Sequence, residues 1–114
     1  MPPDNDAARL WDMLTYAREI ADTLSGVSFT QYMADKNLRL ATERRIEIIG
    51  EAARNVSDVF QTAHPEIPWQ KIVAQRHVLA HEYGDIRQDM IHRVVTVHIP
   101  DLITKLIPLV PTPP

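Results

Sequence analysis

The residues that most constrain the fold are Asp35–Phe60, DKNLRLATERRIEIIGEAARNVSDVF. Their apolar side chains recur every three or four residues without a clean two-residue alternation, which is the pattern of a helix with one buried face. The positions spaced to face a core are Ile46, Ile49, Ala53 and Val56. Charged residues at similar intervals are typical of a solvated helix face: Lys36, Arg39, Glu43, Glu47, Glu51 and Arg54. The stretch therefore predicts one long helix of a helical bundle.

A first helix is predicted on the N-terminal side of this stretch. It begins after the cap candidates Asp4 and Asn5 and ends near Gly26, since glycine often follows a helix. Its apolar stripe is Leu10, Leu14, Ala17, Ala21 and Leu24. Ser28 or Thr30 then starts a short helical turn, and the apolar residues of that turn are Phe29, Tyr32 and Met33.

Prolines divide the C-terminal half of the chain. His64–Pro68 is the clearest break because each of its prolines disfavours helix in the residue before it. Pro68 suits the first turn of a new helix, which is predicted to run to about His81. A last helix spans about Gln88–Ile107 and is kinked or split by Pro100. Its predicted inward positions are Val94, Val97, His98, Leu102 and Leu106.

These elements predict an all-α, up-and-down bundle of four to five helices that forms a single domain over residues 1–114. Residues 1–5 and 108–114 are expected to be frayed tails. The chain has no cysteine, which excludes a disulfide framework, a thiolate zinc site and a thiol nucleophile. No segment resembles a secretion signal or approaches the roughly 20 apolar residues needed to span a bilayer. We therefore expect a soluble, cytoplasmic protein.

The charge balance limits the kind of nucleic-acid partner. With a formal net charge of -3 and a pI near 5.9, the chain does not fit a protein that coats nucleic acid through a broad basic surface. An enzyme acting on nucleic acid would have to concentrate its positive potential in a cleft, with Arg76 and neighbouring basic side chains.

The octapeptide Arg76–Tyr83, RHVLAHEY, is the strongest functional candidate. Arginine offers a planar fork of donors for a phosphate, and histidine exchanges protons near neutral pH. On a regular helix Arg76 and His81 lie about 140° apart, so one straight helix does not aim both at one phosphate. Either the last turn distorts near Gly84, or two copies of the helix form the site around a twofold axis. A symmetric dimer would supply one histidine as general base and another as general acid.

Each of these residues also has a simpler interpretation. Cations near a helix C-terminus complement the helix dipole without any catalysis. His77 and His81 have the four-residue spacing that can bind a metal, but Glu82 points elsewhere on a regular helix, and we expect no metal and no cofactor. The dispersed histidines fit caps, surface or core positions: His64, His92 and His98. Trp69 should pack at the start of its helix, and Trp11 fits the core or a dimer interface.

RHVLAHEY resembles the motif of arginine, four residues, histidine, one residue and tyrosine that marks the HEPN superfamily, specifically its HepT-like toxin branch. Ala41–Ser57, Pro65–Gly84 and the run IPDLITKL at Ile99–Leu106 resemble that branch as well, so the likeness covers most of the chain in order. It implies a helical bundle that dimerises, with the arginine and histidine of each subunit at a shared cleft. It also implies a metal-independent RNase that serves as the toxin of a toxin-antitoxin pair.

Carried over to this sequence, the resemblance makes Arg76 and His81 the catalytic pair for attack of the ribose 2'-hydroxyl on messenger or transfer RNA. Tyr83 matches the tyrosine that a partner nucleotidyltransferase of the minimal (MNT) type modifies with AMP, and a hetero-oligomer with that antitoxin is implied. The residue after the arginine is usually asparagine in this branch and is His77 here. His77 could orient Arg76 or His81, or act as a second proton carrier.

Two other functions are compatible with the sequence. The chain could be a catalytically weak module whose main task is to bind the nucleotidyltransferase, for which Tyr83 would matter and His81 would not. It could also be a structural dimerisation domain, in which replacing Arg76 or His81 would change stability modestly and nothing else.

Overall fold

A computed structural model describes residues 4–81 and 87–111 of the chain, excepting the side chains of residue 4 and of residues 76–81. Every regular element in these residues is helical, which confirms the predicted all-α bundle. The helices are α1 (Asp4–Leu24), α2 (Phe29–Ala34), α3 (Lys36–Arg54), α4 (Asp58–Ala63), α5 (Trp69–His81), α6 (Gln88–Arg93) and α7 (Ile99–Leu106), with a π-helical turn at Val94–His98 between the last two. None of these described helices is long and apolar enough to cross a bilayer.

Helix α3 is the centre of the bundle. It packs against α1 on one side and α5 on the other, and α7 lies against α1. All four positions predicted to face the core are buried: Ile46, Ile49, Ala53 and Val56. On α1 the deepest side chains are Leu10, Met13, Leu14, Ala17 and Ile20. Ala21 and Leu24, which were also expected on the apolar stripe, are only half-buried.

The prediction of one helix over Asp35–Phe60 is wrong at its C-terminal end, because α3 stops at Arg54 and α4 starts at Asp58. The break is at Ser57, whose backbone N–H donates to Oδ1 of Asp6 at 2.8 Å instead of continuing the helix. The Ser57 hydroxyl donates to Oδ2 of Asp6 at 2.6 Å and accepts from the Phe60 N–H. A nearly buried carboxylate of α1 therefore ends one helix and helps to cap the next.

The first connection contains a left-handed glycine and a capping box. Gly26 has a φ of 73°, which glycine adopts without steric cost. Of the two predicted starts of α2, the structure uses Ser28, whose hydroxyl accepts from the Gln31 N–H while the Gln31 side chain accepts from the Ser28 N–H. This reciprocal pair satisfies two N–H groups at the start of a short helix.

The predicted last helix is split, as Pro100 suggested. Ile99 donates its N–H to the carbonyl of Val94, five residues back, in the wide turn of a π-helix. Pro100 has no N–H to continue an α-helical ladder at this point. The prediction that Val97 and His98 point inward is wrong, since both are exposed. The buried positions of this rod are Ile91, Val95, Ile99, Leu102 and Leu106.

The π turn explains this change of register. It takes in one more residue per hydrogen bond than an α turn, so it offsets part of the drift of about 40° that residues four apart accumulate in the flanking α-helical parts. Ile91, Val95 and Ile99 accordingly form one buried line. After Leu106, Leu109 and Val110 are half-buried against the core, and their N–H groups donate to the Leu106 carbonyl. Leu109 and Val110 therefore pack as part of the bundle.

Candidate functional site

Helix α5 carries three of the four residues predicted to form the site. Arg76, His77 and His81 all lie on its C-terminal half, and the backbone remains α-helical through His81. Positions five residues apart on such a helix are about 140° apart, so the distortion considered for the last turn is absent up to His81. The side chains of these three residues and the whole of Tyr83 lie outside the described part of the chain.

The N-terminal end of α5 is firmly fixed. The Trp69 side chain is buried, and its Nε1–H donates to the carbonyl of His64 at 2.9 Å. The ring of Phe60 meets Trp69 edge-on, with centroids 6.3 Å apart. Ile67, in the loop before the helix, is also buried. The predicted packing of Trp69 is confirmed, and it places α5 as a rigid element against α3.

His64 has the structural role of a cap residue. It ends α4, its ring lies 4.4 Å from that of Phe60, and its Nδ1 lies 3.1 Å from Oε2 of Glu66. Hydrogen bonds from the Glu66 backbone N–H and from His64 lower the pKa of the Glu66 carboxyl. This small network shapes the loop that leads into α5.

A second network fixes the start of α6. The hydroxyl of Tyr32 on α2 donates to Oε1 of Gln88, the first residue of α6, at 2.7 Å. Nε2 of Gln88 donates to Oε2 of Glu43 on α3 at 3.0 Å. Burial, together with the negative charge of Glu43, raises the pKa of Tyr32 to about 12. Three helices are thus joined five residues after the tyrosine of the motif.

Sequence reasoning missed this network. Glu43 was assigned to a solvated helix face, whereas it is half-buried and accepts a hydrogen bond from Gln88. Tyr32 was seen only as an apolar residue of a short turn. The sequence offered only a weak signal for this network. Tyr32 and Glu43 fall on neighbouring predicted helices, but Gln88, which joins them, is far away in the sequence. His92 packs beside the cluster, with its ring 5.0 Å from Phe29.

An open groove of about 400 Å³ runs between α5, α3 and the C-terminal rod. Its apolar lining is aliphatic: Ile46, Ile49, Pro68, Ile72, Ala74, Met90, Val94, Ile99 and Leu102. Its polar lining is Lys71, Gln75, Arg93, His98 and Asp101. Lys71 and Arg93 form no ion pair with any residue that the structure describes. The groove therefore combines an aliphatic lining with two cations that have no ion-pair partner among the described residues, and its lining on α5 ends at Gln75, one residue before Arg76.

His77 and His81 have the spacing of a metal-binding pair, and their side chains lie outside the described residues. Within that set, three or more histidine, aspartate or glutamate side chains do not converge anywhere in a way that would hold a metal ion.

The helical bundle and the motif of arginine, histidine and tyrosine together define a HEPN-like protein, and comparison with known proteins identifies the branch. Residues 13–109 match the family model described as Ribonuclease HepT-like. The chain belongs to this family of HepT-like ribonucleases, which confirms the class of enzyme expected from the sequence.

Individual relatives agree with the family assignment. The chain is 30% identical over 106 residues to a candidate RNase of Methanocaldococcus jannaschii, covering 93% of this chain and 88% of that protein. It is 36% identical over 76 residues to a Thermococcus cleftensis protein named "Probable ribonuclease HepT", covering 67% of this chain and 69% of the other. A candidate RNase of Caldanaerobacter subterraneus is 34% identical over 83 residues, covering 73% of this chain and 74% of its own length. No solved structure matches the chain.

Proposed function

We propose that this protein is the endoribonuclease toxin of a toxin-antitoxin pair and acts on messenger or transfer RNA in the cytoplasm. The observation that carries the proposal is the course of α5, which stays α-helical from Trp69 to His81. One copy of such a helix presents the positions of Arg76 and His81 on different faces. Two copies related by a twofold axis bring the arginine and the histidine of both copies to a shared cleft.

The proposed reaction needs no metal. The ribose 2'-oxygen forms a bond to phosphorus while His81 of one copy accepts its proton, and the bond from phosphorus to the 5'-oxygen breaks. The second His81 protonates the departing 5'-oxygen. Arg76 stabilises the negative charge that gathers on the non-bridging oxygens. The products are a 2',3'-cyclic phosphate and a 5'-hydroxyl, and His77 orients the pair or carries a proton.

Inhibition in this proposal takes place at Tyr83. A partner nucleotidyltransferase of the MNT type binds the dimer and transfers AMP from ATP to the phenol oxygen, which loses its proton as pyrophosphate leaves. The added nucleotide is bulky and negatively charged, so it blocks RNA by steric exclusion and by repulsion. Support comes from the position of Tyr83, two residues after His81 and within residues 13–109, which match the HepT-like family.

The test is growth and RNA integrity on induction of the protein alone, compared with Arg76→Ala and His81→Ala variants at equal soluble expression. Arg18→Ala is the matched control because Arg18 is exposed on α1 and forms no ion pair with a described residue. We expect growth arrest and RNA fragments with the wild type and with Arg18→Ala, and neither with the two motif variants. Equal growth and intact RNA in all four strains would contradict the proposal and favour a module that mainly binds the nucleotidyltransferase.

A further inference from the structure

Three aromatic rings form a cluster where α2 meets α6. Phe29 and Tyr32 belong to α2, and His92 belongs to α6. The ring centroids of Phe29 and His92 are 5.0 Å apart, and these two rings meet edge to face. The ring of Tyr32 lies 6.4 Å from each of the other two. These are the separations of aromatic side chains in contact, so the three rings pack as one aromatic cluster.

The aromatic cluster is buried on one side and open to solvent on the other. Tyr32 is 1% exposed, and its hydroxyl donates to Gln88 at 2.7 Å. Phe29 is 39% exposed despite its apolar side chain, and His92 is half-buried. A ring that already packs against a fixed neighbour loses little side-chain freedom when it binds a ligand. Phe29 and His92 therefore present a preformed aromatic surface.

A cation lies beside the aromatic cluster. The Arg39 guanidinium donates to the carbonyl of Met33 in α2. Burial and the charge of Glu43 raise the pKa of Tyr32 while Arg39 lowers it, so this guanidinium is within electrostatic reach of the rings. Arg39 forms no ion pair with any residue that the structure describes. Its remaining N–H groups can therefore bind a phosphate.

The composition of this surface favours an unpaired nucleobase over a protein partner. Rings that stack with bases and a cation that reaches an adjoining phosphate are the two elements by which proteins hold single-stranded RNA. The large apolar side chains that α2 exposes are Phe29 and Met33. These two cover far less than the roughly 800 Å² that each partner buries in a stable protein contact.

The aromatic cluster lies within reach of the motif helix. Gln88, which accepts from Tyr32, is seven residues after His81, the last residue of α5. Seven residues span at most about 25 Å even when the chain is fully extended. A single strand of several nucleotides covers such a distance. An RNA whose reacting phosphate is at His81 can therefore place another of its bases on the aromatic cluster.

We infer that Phe29 and His92 form a stacking site for one unpaired base of a single-stranded RNA, and that Arg39 binds a phosphate next to that base. The inference rests on the proposed function and deepens it, because it specifies the form of the RNA substrate and a second point at which the substrate is held. A base within a duplex is covered by its neighbours, so the site selects single-stranded over double-stranded RNA.

The affinity for a short single-stranded RNA, measured by fluorescence anisotropy, tests the role of the ring. Every protein carries His81→Ala, so that the RNA stays intact. We expect Phe29→Leu to weaken binding about tenfold, because the stacking ring is lost while an apolar side chain remains. Phe29→Tyr keeps a ring and should bind within about twofold of the parent. Met33→Leu is the control, because Met33 is 40% exposed on the same helix and is not aromatic.

Phe29→Leu that binds like the parent would overturn the inference. An RNA that lacks one base then separates stacking from a structural effect of the substitution. Abasic sites are placed at each position of the RNA in turn. At one position the abasic site should weaken the parent about tenfold and Phe29→Leu hardly at all, because ring and base form a single contact. Equal losses in both proteins at every position would contradict stacking on Phe29.

The salt dependence of binding tests Arg39. Arg39→Gln keeps a donor for the Met33 carbonyl but removes the charge, so the slope of log affinity against log salt concentration should become shallower by about 0.7. Arg39→Lys should keep the slope of the parent. Arg18→Gln is the control, because Arg18 is exposed on α1 and forms no ion pair with a described residue. An unchanged slope in Arg39→Gln would overturn the phosphate contact.

These outcomes are separate from those of the proposed function. A chain with His81 intact that binds RNA through Phe29 but leaves it uncut would overturn the ribonuclease toxin and keep the stacking site. Equal kcat/KM for RNA cleavage in the wild type and in Phe29→Leu would overturn the stacking site and keep the toxin. Phe29→Leu that binds RNA normally but loses a purified nucleotidyltransferase would show a protein-binding surface and would also overturn the inference.

Discussion

The phenol oxygen of Tyr32 lies 2.7 Å from Oε1 of Gln88, and this contact joins α2 to the residue that begins α6. Tyr32 is 1% exposed, so its hydroxyl has left water and depends on this acceptor. Leaving a buried donor without a partner costs free energy, whereas a donor at the surface can bond to water instead. The contact therefore matters both for stability and for the position at which α6 begins.

Tyr32→Phe should lower the free energy of unfolding by about 1 kcal/mol, the typical net contribution of one such hydrogen bond. The ring packing is retained, so the change isolates the hydroxyl. Tyr16→Phe is the control, because the half-buried Tyr16 makes no hydrogen bond to a described residue. Chemical denaturation of the three proteins measures the difference, and equal losses in both variants would argue against a role of the contact.

The same tyrosine predicts a loss of stability at high pH. Burial, with a further contribution from Glu43, raises the pKa of Tyr32 from 10.0 to about 12, so the unfolded chain loses this proton more easily than the folded one. The stabilisation is complete below pH 10 and is lost as the pH rises from 10 to 12. The free energy of unfolding, measured by chemical denaturation across this pH range, should fall less steeply with pH for Tyr32→Phe than for the wild type. Identical slopes would show that the Tyr32 pKa is not raised.

Asp6→Ala should be the most damaging single change at the junction of α3 and α4. Asp6 is 3% exposed and accepts from both the N–H and the hydroxyl of Ser57, so we expect a loss of about 2 to 3 kcal/mol. The exposed Asp22→Ala on the same helix is the control and should change little. Ser57→Ala combined with Asp6→Ala should cost less than the sum of the single losses. Additive losses would mean that the two residues act independently.

Gly26 allows a prediction about backbone strain alone. A Cβ at this position meets nothing within 4 Å, so any loss in Gly26→Ala comes from the φ of 73° and should be about 1 kcal/mol. Gly26→Asn should lose less, because asparagine adopts the left-handed region more readily. Thermal unfolding of the two variants distinguishes them, and an equal loss would point to a cause other than φ.

A mixed dimer tests whether both histidines serve one cut. A dimer with one wild-type subunit and one His81→Ala subunit, purified through two different tags, should retain far less than half of the wild-type cleavage rate, because one cut needs a base and an acid. Half of the wild-type rate would mean two independent sites. A dimer of two wild-type subunits carrying the same tags is the control.

Local sequence signals predicted the elements that depend on neighbouring residues. Ser28 was one of the two predicted starts of α2, and Pro68 marks the start of α5 because proline suits a first turn. The bounds of α5, and with them the backbone positions of Arg76 and His81, followed from such signals. The roles of these two residues remain predictions, as does that of Tyr83.

Features that depend on distant residues were not predicted. The end of α3 is decided by Asp6, which lies 51 residues before Ser57 in the chain. Gln88 is 56 residues from Tyr32 and 45 from Glu43, so no local pattern links them. The exposure of Val97 followed from the π turn, which changes the register that a regular helical period assumes.

The position of the motif on α5 gives the proposed dimer a thermodynamic consequence. If dimerisation increases the affinity for RNA by some factor, RNA must increase the affinity between the two copies by the same factor. Activity per chain would then rise with protein concentration, and substrate would hold together dimers that fall apart in its absence. The concentration of the protein would thus determine the activity of each chain as well as the total activity.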